Sequence, residues 1–151
     1  MTEYATPYGR IFSGDTCFDS YTNIILYSQP PAGSASVKLQ AAAMRAFKNA
    51  EDRIQSRRIR QLNSPREDRK FRAIALTGSW RSCSYQRELY MRDPDRYAHP
   101  DKTGHTRGLC IDVSQAQSPR RLRKIRRALE AEGWHYTNSS EPWHASYWLA
   151  L

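Results

Sequence analysis

Apolar side chains in the second quarter of the chain recur at steps of three, four and seven residues, which is typical of the buried face of an amphipathic helix. This spacing predicts a helix over about residues 37–62, with Ser36 as its N-cap and Pro65 beyond its end. We interpret the apolar face as core and not as a binding surface. The residues that form it are Val37, Ala41, Met44, Phe47 and Ile54.

A second helix is marked by its terminal residues as well as by its apolar positions Leu122, Ile125 and Leu129. Ser118 is a suitable N-cap, a proline follows it at the first helical position, and a glycine lies beyond the last apolar residue. Together these signals predict a helix over about residues 119–132.

Two strands are predicted between these helices. Residues 71–76 form a mostly apolar run that leads into a Thr-Gly-Ser turn at residues 77–79, which places Arg81 at the end of the strand. In the second strand, residues 109–113, the aliphatic side chains alternate along the chain with Cys110 and Asp112. Asp112 therefore lies on the face opposite the aliphatic residues.

Two further strands are predicted after the second helix, over residues 134–136 and 143–149. In the last of them His144, Ser146 and Trp148 share one face, because side chains alternate along a strand. The order helix, strand, strand, helix, strands is typical of an α+β fold, so we expect an antiparallel sheet flanked by helices.

The domain organisation follows from length and local composition. A chain of 151 residues is typical of a single domain, which we expect to occupy residues 36–151. The preceding residues 1–35 are rich in Thr, Ser, Gly and Pro, and their only apolar cluster lies at residues 24–27. We therefore expect an irregular N-terminal arm.

The chain is strongly basic, with 24 Lys and Arg against 15 Asp and Glu and a net charge of +9. Such a charge favours anionic partners without choosing between nucleic acid and cell wall, so electrostatic attraction to an anionic cell envelope is one alternative and an ordinary solvated surface is another. The predicted helix at residues 119–132 alone carries a long run of Arg and Lys. Nucleic-acid-binding motifs are otherwise absent, so we do not expect nucleic acid as the partner. The three cysteines show no CxxC spacing, which argues against a thiolate zinc knuckle.

The N-terminal residues have neither the basic opening nor the apolar run of a secretory signal. No stretch approaches the ~20 apolar residues of a membrane span. We therefore expect a soluble protein, cytoplasmic until its release to the cell wall if it is a phage lysis protein.

Four residues of types that bind or work beside a divalent metal occur in two short segments. His105 precedes Asp112 by seven positions, and Gly108 between them allows a tight bend, so an imidazole and a carboxylate can converge. His144 adds a second imidazole. Two nitrogens and one oxygen are three ligands of a tetrahedral zinc site whose fourth position stays open for water. Glu141 is close enough along the chain to accept a proton from that water without binding the metal.

These segments resemble a known family. Gly-His-x-x-Gly-x-x-x-Asp at residues 104–112 and Glu-Pro-Trp-His at residues 141–144 resemble the paired signature of the zinc D-alanyl-D-alanine carboxypeptidases of peptidase family M15, the VanY and VanX type, which includes phage endolysin peptidases. Residues 77–82, with Gln86 beyond them, resemble that family's Ser-Gly-Tyr-Arg-Ser turn and the Gln that follows it. Residues 96–100 resemble the loop before its first ligand.

Residue by residue, the resemblance implies one zinc ion per chain, bound by His105, Asp112 and His144. It implies that Glu141 acts first as general base and then as general acid. It also implies that Arg81 faces the scissile carbonyl, where a guanidinium would stabilise the developing oxyanion.

Two further residues are expected near the substrate. Thr103 stands where many family members have a serine whose hydroxyl helps to hold the substrate, and Gln86 is either a substrate contact or a support for its neighbours. Cys110 shares a face with the ligand aspartate, and we interpret it as a packing residue because a fourth protein ligand would close the open position. His99 and His135 match no ligand position, and we expect both to be structural or surface residues.

The resemblance covers about residues 71–148 and implies the hedgehog-like fold of the zinc D-Ala-D-Ala peptidases, with residues 36–151 as the zinc peptidase domain. It implies zinc-dependent hydrolysis of an amide bond in peptidoglycan stem peptides, as in a D-Ala-D-Ala carboxypeptidase. Two alternatives remain open. One is a phage endolysin endopeptidase that cuts L-Ala–D-Glu, and the other is a non-catalytic cell-wall-binding module on the same fold.

Overall fold

Helices and antiparallel strands make up the part of the chain that the computed structural model describes, residues 2–6, 9–13, 24–29, 36–62 and 74–147. In chain order the elements are β1 (Thr2–Thr6), β2 (Gly9–Ser13), β3 (Ile25–Ser28), β4 (Ser36–Leu39), α1 (Ala41–Leu62), β5 (Leu76–Gly78), α2 (Cys83–Arg92), β6 (Cys110–Val113), α3 (Pro119–Ala131), β7 (Trp134–His135) and β8 (His144–Tyr147). This architecture confirms the predicted α+β class with an antiparallel sheet.

A four-stranded antiparallel sheet with strand order β5-β6-β8-β7 carries two of the predicted metal ligands. All four residues of β6 are buried between its neighbours. In the register of this sheet, Asp112 on β6 lies opposite Gly78 on β5 and opposite His144 on β8. The sheet therefore holds the carboxylate and one imidazole side by side.

The core forms where α1 and α3 pack against each other and against the sheet. Phe47 of α1, Leu129 of α3 and Ile111 of β6 are all fully buried. Burying each such side chain stabilises the fold by ~1.5–3 kcal/mol. Of the first predicted apolar face, Met44 also lies in this core, whereas Ala41 is exposed. No helix in the described ranges is long and apolar enough to cross a membrane.

Helix α3 confirms the second helix predicted from the sequence. The Ser118 side chain accepts a hydrogen bond from the backbone N–H of Arg121 at 3.1 Å, which satisfies one of the free donors at the start of the helix. Pro119 occupies the first helical position, where its missing N–H costs nothing. Local signals were sufficient here because the caps and the apolar stripe agree.

The prediction for the start of the first helix is wrong. The helix begins at Ala41, and Ser36 is the first residue of strand β4 and not an N-cap. Val37 and Leu39 are both buried, and they share one face of this strand. Val37 fits a helical stripe and a strand face equally well, so pairing with β3 decides between them.

Within residues 1–35, where the sequence predicts an irregular arm, the described segments include strands. Strands β1 and β2 pair with each other, and β3 pairs with β4 across the expected boundary at residue 36. The boundary would therefore divide one hairpin. The apolar cluster at residues 24–27 is too short to predict a strand without knowledge of its partner.

The strand predicted over residues 71–76 lies further along the chain, at Leu76–Gly78, and residues 71–73 are outside the described ranges. Ile74 does not join the sheet because its backbone groups bind side chains. Its N–H donates to Glu51 Oε2 at 2.9 Å, and its carbonyl accepts from Gln29 Nε2 at 2.7 Å. The first two residues of the predicted Thr-Gly-Ser turn therefore belong to the strand.

Helix α2 is absent from the sequence-based assignment. Ser82 is its N-cap and accepts from the backbone N–H of Tyr85 at 3.1 Å. Its buried positions are Cys83, Gln86 and Leu89, so a polar residue interrupts the apolar stripe and weakens the helical pattern. The last two strands were predicted correctly apart from their ends, and Trp148 lies outside the described residues.

Glu51 on α1 is a buried carboxylate that connects three segments. Its oxygens accept hydrogen bonds from Tyr27 Oη at 2.9 Å, Gln29 Nε2 at 3.0 Å and the Ile74 N–H at 2.9 Å. Only 1% of the residue is exposed, so these donors have little access to water. The Glu51 side chain therefore connects the hairpin β3–β4 and the residues just before β5 to α1.

We expect Glu51→Ala to lower the free energy of unfolding by about 3 kcal/mol or more, because each buried donor left unsatisfied costs ~1–3 kcal/mol. Urea denaturation measures the change. Glu51→Gln keeps an acceptor oxygen and should lose clearly less. Equal, small losses in both variants would show that the carboxylate does not hold these segments together.

Candidate active site

His105 lies on a short 3₁₀ turn, Gly104–Arg107, that is shaped by its neighbours. The Thr103 hydroxyl accepts from the His105 N–H at 3.2 Å and so caps the start of the turn. Gly108 ends it in the left-handed conformation at φ 68°, as the sequence predicted. A Cβ on Gly108 would lie 2.7 Å from the backbone nitrogen of Gln40, so no larger residue fits without displacing backbone.

His144 is positioned by the turn that precedes β8. The His144 N–H donates to the Glu141 carbonyl at 3.0 Å, which closes a four-residue turn with Pro142 at its second position. The carbonyl of Trp143 accepts from the Val113 N–H at 2.7 Å and joins this turn to β6. Glu141 and His144 are thus held together by backbone geometry.

The three predicted ligands converge at the centre of the sheet. His105 Nε2 lies 3.3 Å from Asp112 Oδ2, and His144 Nδ1 lies 3.0 Å from Asp112 Oδ1. One ligand atom from each residue lies within 4.8 Å of the other two. These residues could therefore hold a metal ion without rearrangement of the backbone.

The orientation of His105 fits a metal at this point. Its Nδ1 donates to the Ser79 carbonyl oxygen at 2.7 Å, since a carbonyl can only accept. In the neutral ring, Nε2 then carries a lone pair that faces Asp112 Oδ2. Two electron-rich atoms at this distance need a cation or a proton between them. Two imidazole nitrogens and one carboxylate oxygen are a donor set that zinc accepts.

The electrostatics keep Asp112 negative. Burial alone would raise the pKa of this carboxyl, but its hydrogen bonds with His105 and His144 outweigh burial and hold the pKa well below the ordinary value. Burial would also lower the pKa of His144, yet the hydrogen bond to Asp112 prevails and raises it to about 10. At His105 burial dominates and lowers the pKa. The site thus combines Asp112, which stays negatively charged, with His105, whose lowered pKa favours the neutral ring that can bind a metal ion.

The far side of His144 faces a second pair of buried polar side chains. His144 Nε2 lies 3.4 Å from Ser146 Oγ, which in turn lies 3.4 Å from Cys110 Sγ. If the Ser146 hydroxyl accepts from the Nε2–H, the ring is fixed with Nδ1 toward Asp112. Cys110 is fully buried behind the ligand group and does not line the pocket, which agrees with its interpretation as a packing residue.

Arg81 reaches the ligand carboxylate through contacts on both halves of its guanidinium. Nη2 donates to Asp112 Oδ2 at 3.1 Å, and Nη1 donates to Gln86 Oε1 at 3.3 Å. Gln86 is 1% exposed, and its Nε2 donates to the Ala98 carbonyl at 2.8 Å. Because both ends of this amide are occupied, Gln86 is placed to position Arg81. Gly78 leaves room for the contact, since a Cβ there would lie 3.1 Å from Asp112 Oδ2.

One pocket of about 540 Å³ collects every site residue that the sequence indicated. The ligand group lies at its wall beside the guanidinium of Arg81, and the half-buried Glu141 lines the same space. The seven residues are Arg81, Gln86, Thr103, His105, Asp112, Glu141 and His144. The structure therefore places the predicted ligands, the predicted base and the predicted oxyanion donor around one volume.

Several residues of this pocket were not assigned to the site from the sequence. His99 and His135 lie outside the three-ligand group, as expected. Arg96 and Tyr97 belong to the segment that resembles the loop before the first metal ligand of the family M15 carboxypeptidases. This resemblance is the sequence feature that could have indicated them as site residues. The pocket residues that the sequence analysis missed are Thr77, Arg96, Tyr97, Ala98, Val113, Gln115 and Trp143.

Comparison with known proteins supports the fold. No known family model matches the chain, and no curated protein matches it. The LD-carboxypeptidase LdcB, whose structure is described as revealing the molecular basis of peptidoglycan recognition, is similar with a TM-score of 0.57 and 14% identity, over 83% of this chain and 68% of LdcB. DacB from Streptococcus pneumoniae D39 is similar with a TM-score of 0.50 and 14% identity, over 96% of this chain and 79% of DacB. At this identity the likeness establishes the fold alone.

We expect the wild-type protein to bind one divalent metal ion and His105→Ala and His144→Ala each to lose it, because two remaining ligands cannot hold an ion in a tetrahedral site. Metal analysis by mass spectrometry after dialysis against limiting zinc gives the stoichiometry. His135→Gln is the matched control, since His135 is a histidine outside the group. Stoichiometric zinc in both alanine variants would contradict this ligand assignment.

Proposed function

We propose that this protein is a zinc-dependent peptidase that hydrolyses an amide bond in peptidoglycan stem peptides, in the manner of a D-Ala-D-Ala carboxypeptidase. The observation that carries the proposal is the convergence of three ligand-type side chains with a further carboxylate and a guanidinium in one pocket. The choice of substrate is supported by the residues that resemble the family M15 carboxypeptidases and by the fold shared with the LD-carboxypeptidase LdcB.

In this proposal His105, Asp112 and His144 hold the zinc ion. The bound ion would supply Lewis-acid chemistry, polarising the peptide carbonyl and making water a stronger nucleophile. The ligands come from a turn and two paired strands, so their separation is set by backbone hydrogen bonds and not by flexible loops.

Glu141 is the proposed general base. It lines the pocket without belonging to the ligand group, so its carboxylate is free to take a proton from the attacking water. The same carboxyl then returns that proton to the leaving amine. The turn that joins Glu141 to His144 keeps the base next to the metal ligands throughout.

Arg81 is the proposed stabiliser of the oxyanion that forms on the peptide carbonyl. About a fifth of its side chain is exposed toward solvent, and Asp112 and Gln86 fix its direction. A donor that is already oriented loses little entropy when negative charge appears, which is the basis of this form of catalysis. Thr103 lines the same pocket and is the proposed hydroxyl contact for the substrate.

Incubation of purified peptidoglycan fragments with the zinc-loaded protein, followed by mass spectrometry of the products, tests the function. Release of a terminal D-alanine identifies a carboxypeptidase. Release of a peptide after cleavage of L-Ala–D-Glu identifies an endopeptidase and overturns the carboxypeptidase assignment. Binding to cell wall without any released product would favour the non-catalytic module.

We expect Glu141→Gln to keep zinc while hydrolysis falls by ~10²–10⁴, because glutamine preserves the shape of the side chain but cannot accept the proton. Metal content and initial rate are measured on the same preparation. Loss of zinc together with activity would make Glu141 a ligand and leave Asp112 as the candidate base.

For Arg81→Ala we expect a fall in turnover of ~10²–10³ with zinc content retained, as is typical when one oxyanion donor is removed. Arg92→Ala removes an exposed arginine of α2 that does not line the pocket, and it should leave the rate unchanged. A normal rate in Arg81→Ala would remove this residue from the chemistry.

A further inference from the structure

Helix α3 presents a line of positive charge to solvent. Its members are spaced i, i+3, i+4 and i+7, which places them on one helical face along about 10 Å of the axis. The opposite face carries Ile125 and Leu129 into the core. This line, here called the basic stripe, consists of Arg120, Arg123, Lys124 and Arg127, all of them exposed.

The charges of the basic stripe are not compensated by other residues in the described part of the chain. None of the four side chains forms an ion pair or a hydrogen bond there, in contrast with other cations of the same helix. Arg126 pairs with Glu130 at 2.8 Å and lies 4.6 Å from the centre of the Tyr136 ring. Arg121 is partly buried, where the charge of Glu51 acts on it.

The basic stripe costs the isolated protein stability. Like charges at i and i+4 destabilise a helix by ~0.2–0.5 kcal/mol for each pair, and Arg120 with Lys124 and Arg123 with Arg127 are two such pairs. The caps and the apolar face already account for the helix. A partner with repeated negative charge would remove the repulsion, so the stripe has the features of a binding surface.

The surroundings of the stripe favour a non-nucleic phosphate-bearing chain over a lipid surface or a single-stranded nucleic acid. A helix that binds a membrane inserts apolar side chains, but the apolar face of α3 lies in the core. The large apolar side chains exposed in the described ranges lie on other elements. Single-stranded nucleic acids stack on exposed aromatic rings, and Arg126 occupies one face of the nearby Tyr136 ring, which is itself half-buried.

A groove at one end of the basic stripe adjoins the candidate active pocket. The groove, of about 190 Å³, is lined by Arg123 and Arg126 on one side. It shares Val113 and Gln115 with the candidate active pocket. A chain bound along α3 would therefore lie beside the substrate pocket.

We propose that the basic stripe binds a linear phosphodiester polymer of the cell wall and thereby holds the enzyme beside its substrate. The choice of a wall polymer rests on the proposed function. The binding itself rests on charge, exposure and spacing, and it is measurable without any hydrolysis.

The test titrates the full-length protein into labelled poly(glycerol phosphate) at several salt concentrations. Arg123→Gln combined with Arg127→Gln removes two charges of the stripe, and Arg45→Gln combined with Arg92→Gln removes two exposed charges from α1 and α2. We expect the stripe variant to bind about 10-fold more weakly at low salt, with a logarithmic salt slope smaller by about 1.4, since each single-strand phosphate contact adds ~0.7. The control pair should stay close to wild type.

Equal affinities and salt slopes in the two double variants would overturn the proposal, as would a wild-type protein that does not bind the polymer. Tighter wild-type binding to phosphatidylglycerol vesicles or to an oligothymidylate would overturn the choice of partner. Polymer binding through the stripe by a protein that releases no product would refute the proposed function and support the stripe. Hydrolysis without polymer binding would refute the role of the stripe and support the proposed function.

Discussion

The buried charge of Asp112 is the constraint on which the site depends. The carboxylate is contacted by His105 at 3.3 Å, by His144 at 3.0 Å and by Arg81 at 3.1 Å. An uncompensated charge at this depth would cost several kcal/mol, so these contacts are a condition of folding as well as of chemistry. Because the three partners come from a turn, a strand and the segment after β5, the same requirement that neutralises the carboxylate also assembles the candidate active site.

Backbone hydrogen bonds make this assembly rigid. The carbonyl of Ser79 orients the ring of His105, and the Arg81 N–H donates to the His105 carbonyl at 3.1 Å, so two chain segments hold each other in place. On the other side the antiparallel register fixes His144 opposite Asp112. A ligand set carried on such elements keeps its geometry when an ion or a substrate enters, which is the condition for fast and selective chemistry.

The sequence predicted those parts of the molecule whose information is local. Helix α3 has its caps and its apolar stripe within one segment, and the candidate site residues are recognisable by type and spacing. The predicted start of α1 was wrong because Val37 satisfies both periodicities and only the pairing with β3 separates them. The support of His105 by a carbonyl at Ser79 depends on tertiary register. The contact of His144 with Ser146, by contrast, joins two residues on one face of the same strand. Every residue carries a backbone carbonyl, so residue types cannot show which one will contact His105.

The positive charges of the chain are of two physical kinds. Arg81 is compensated and fixed in direction, so it contributes little to the field at a distance and acts on groups that touch it. The cations of the basic stripe are exposed and uncompensated, and their field extends over about the ~8 Å Debye length of physiological salt. In the proposed function the substrate is an immobile network, so faster diffusion matters less than longer residence on the surface. The proposed retaining charges lie on α3, whereas the candidate reacting groups lie on the sheet and on the turns beside it, so each set can change without disturbing the other.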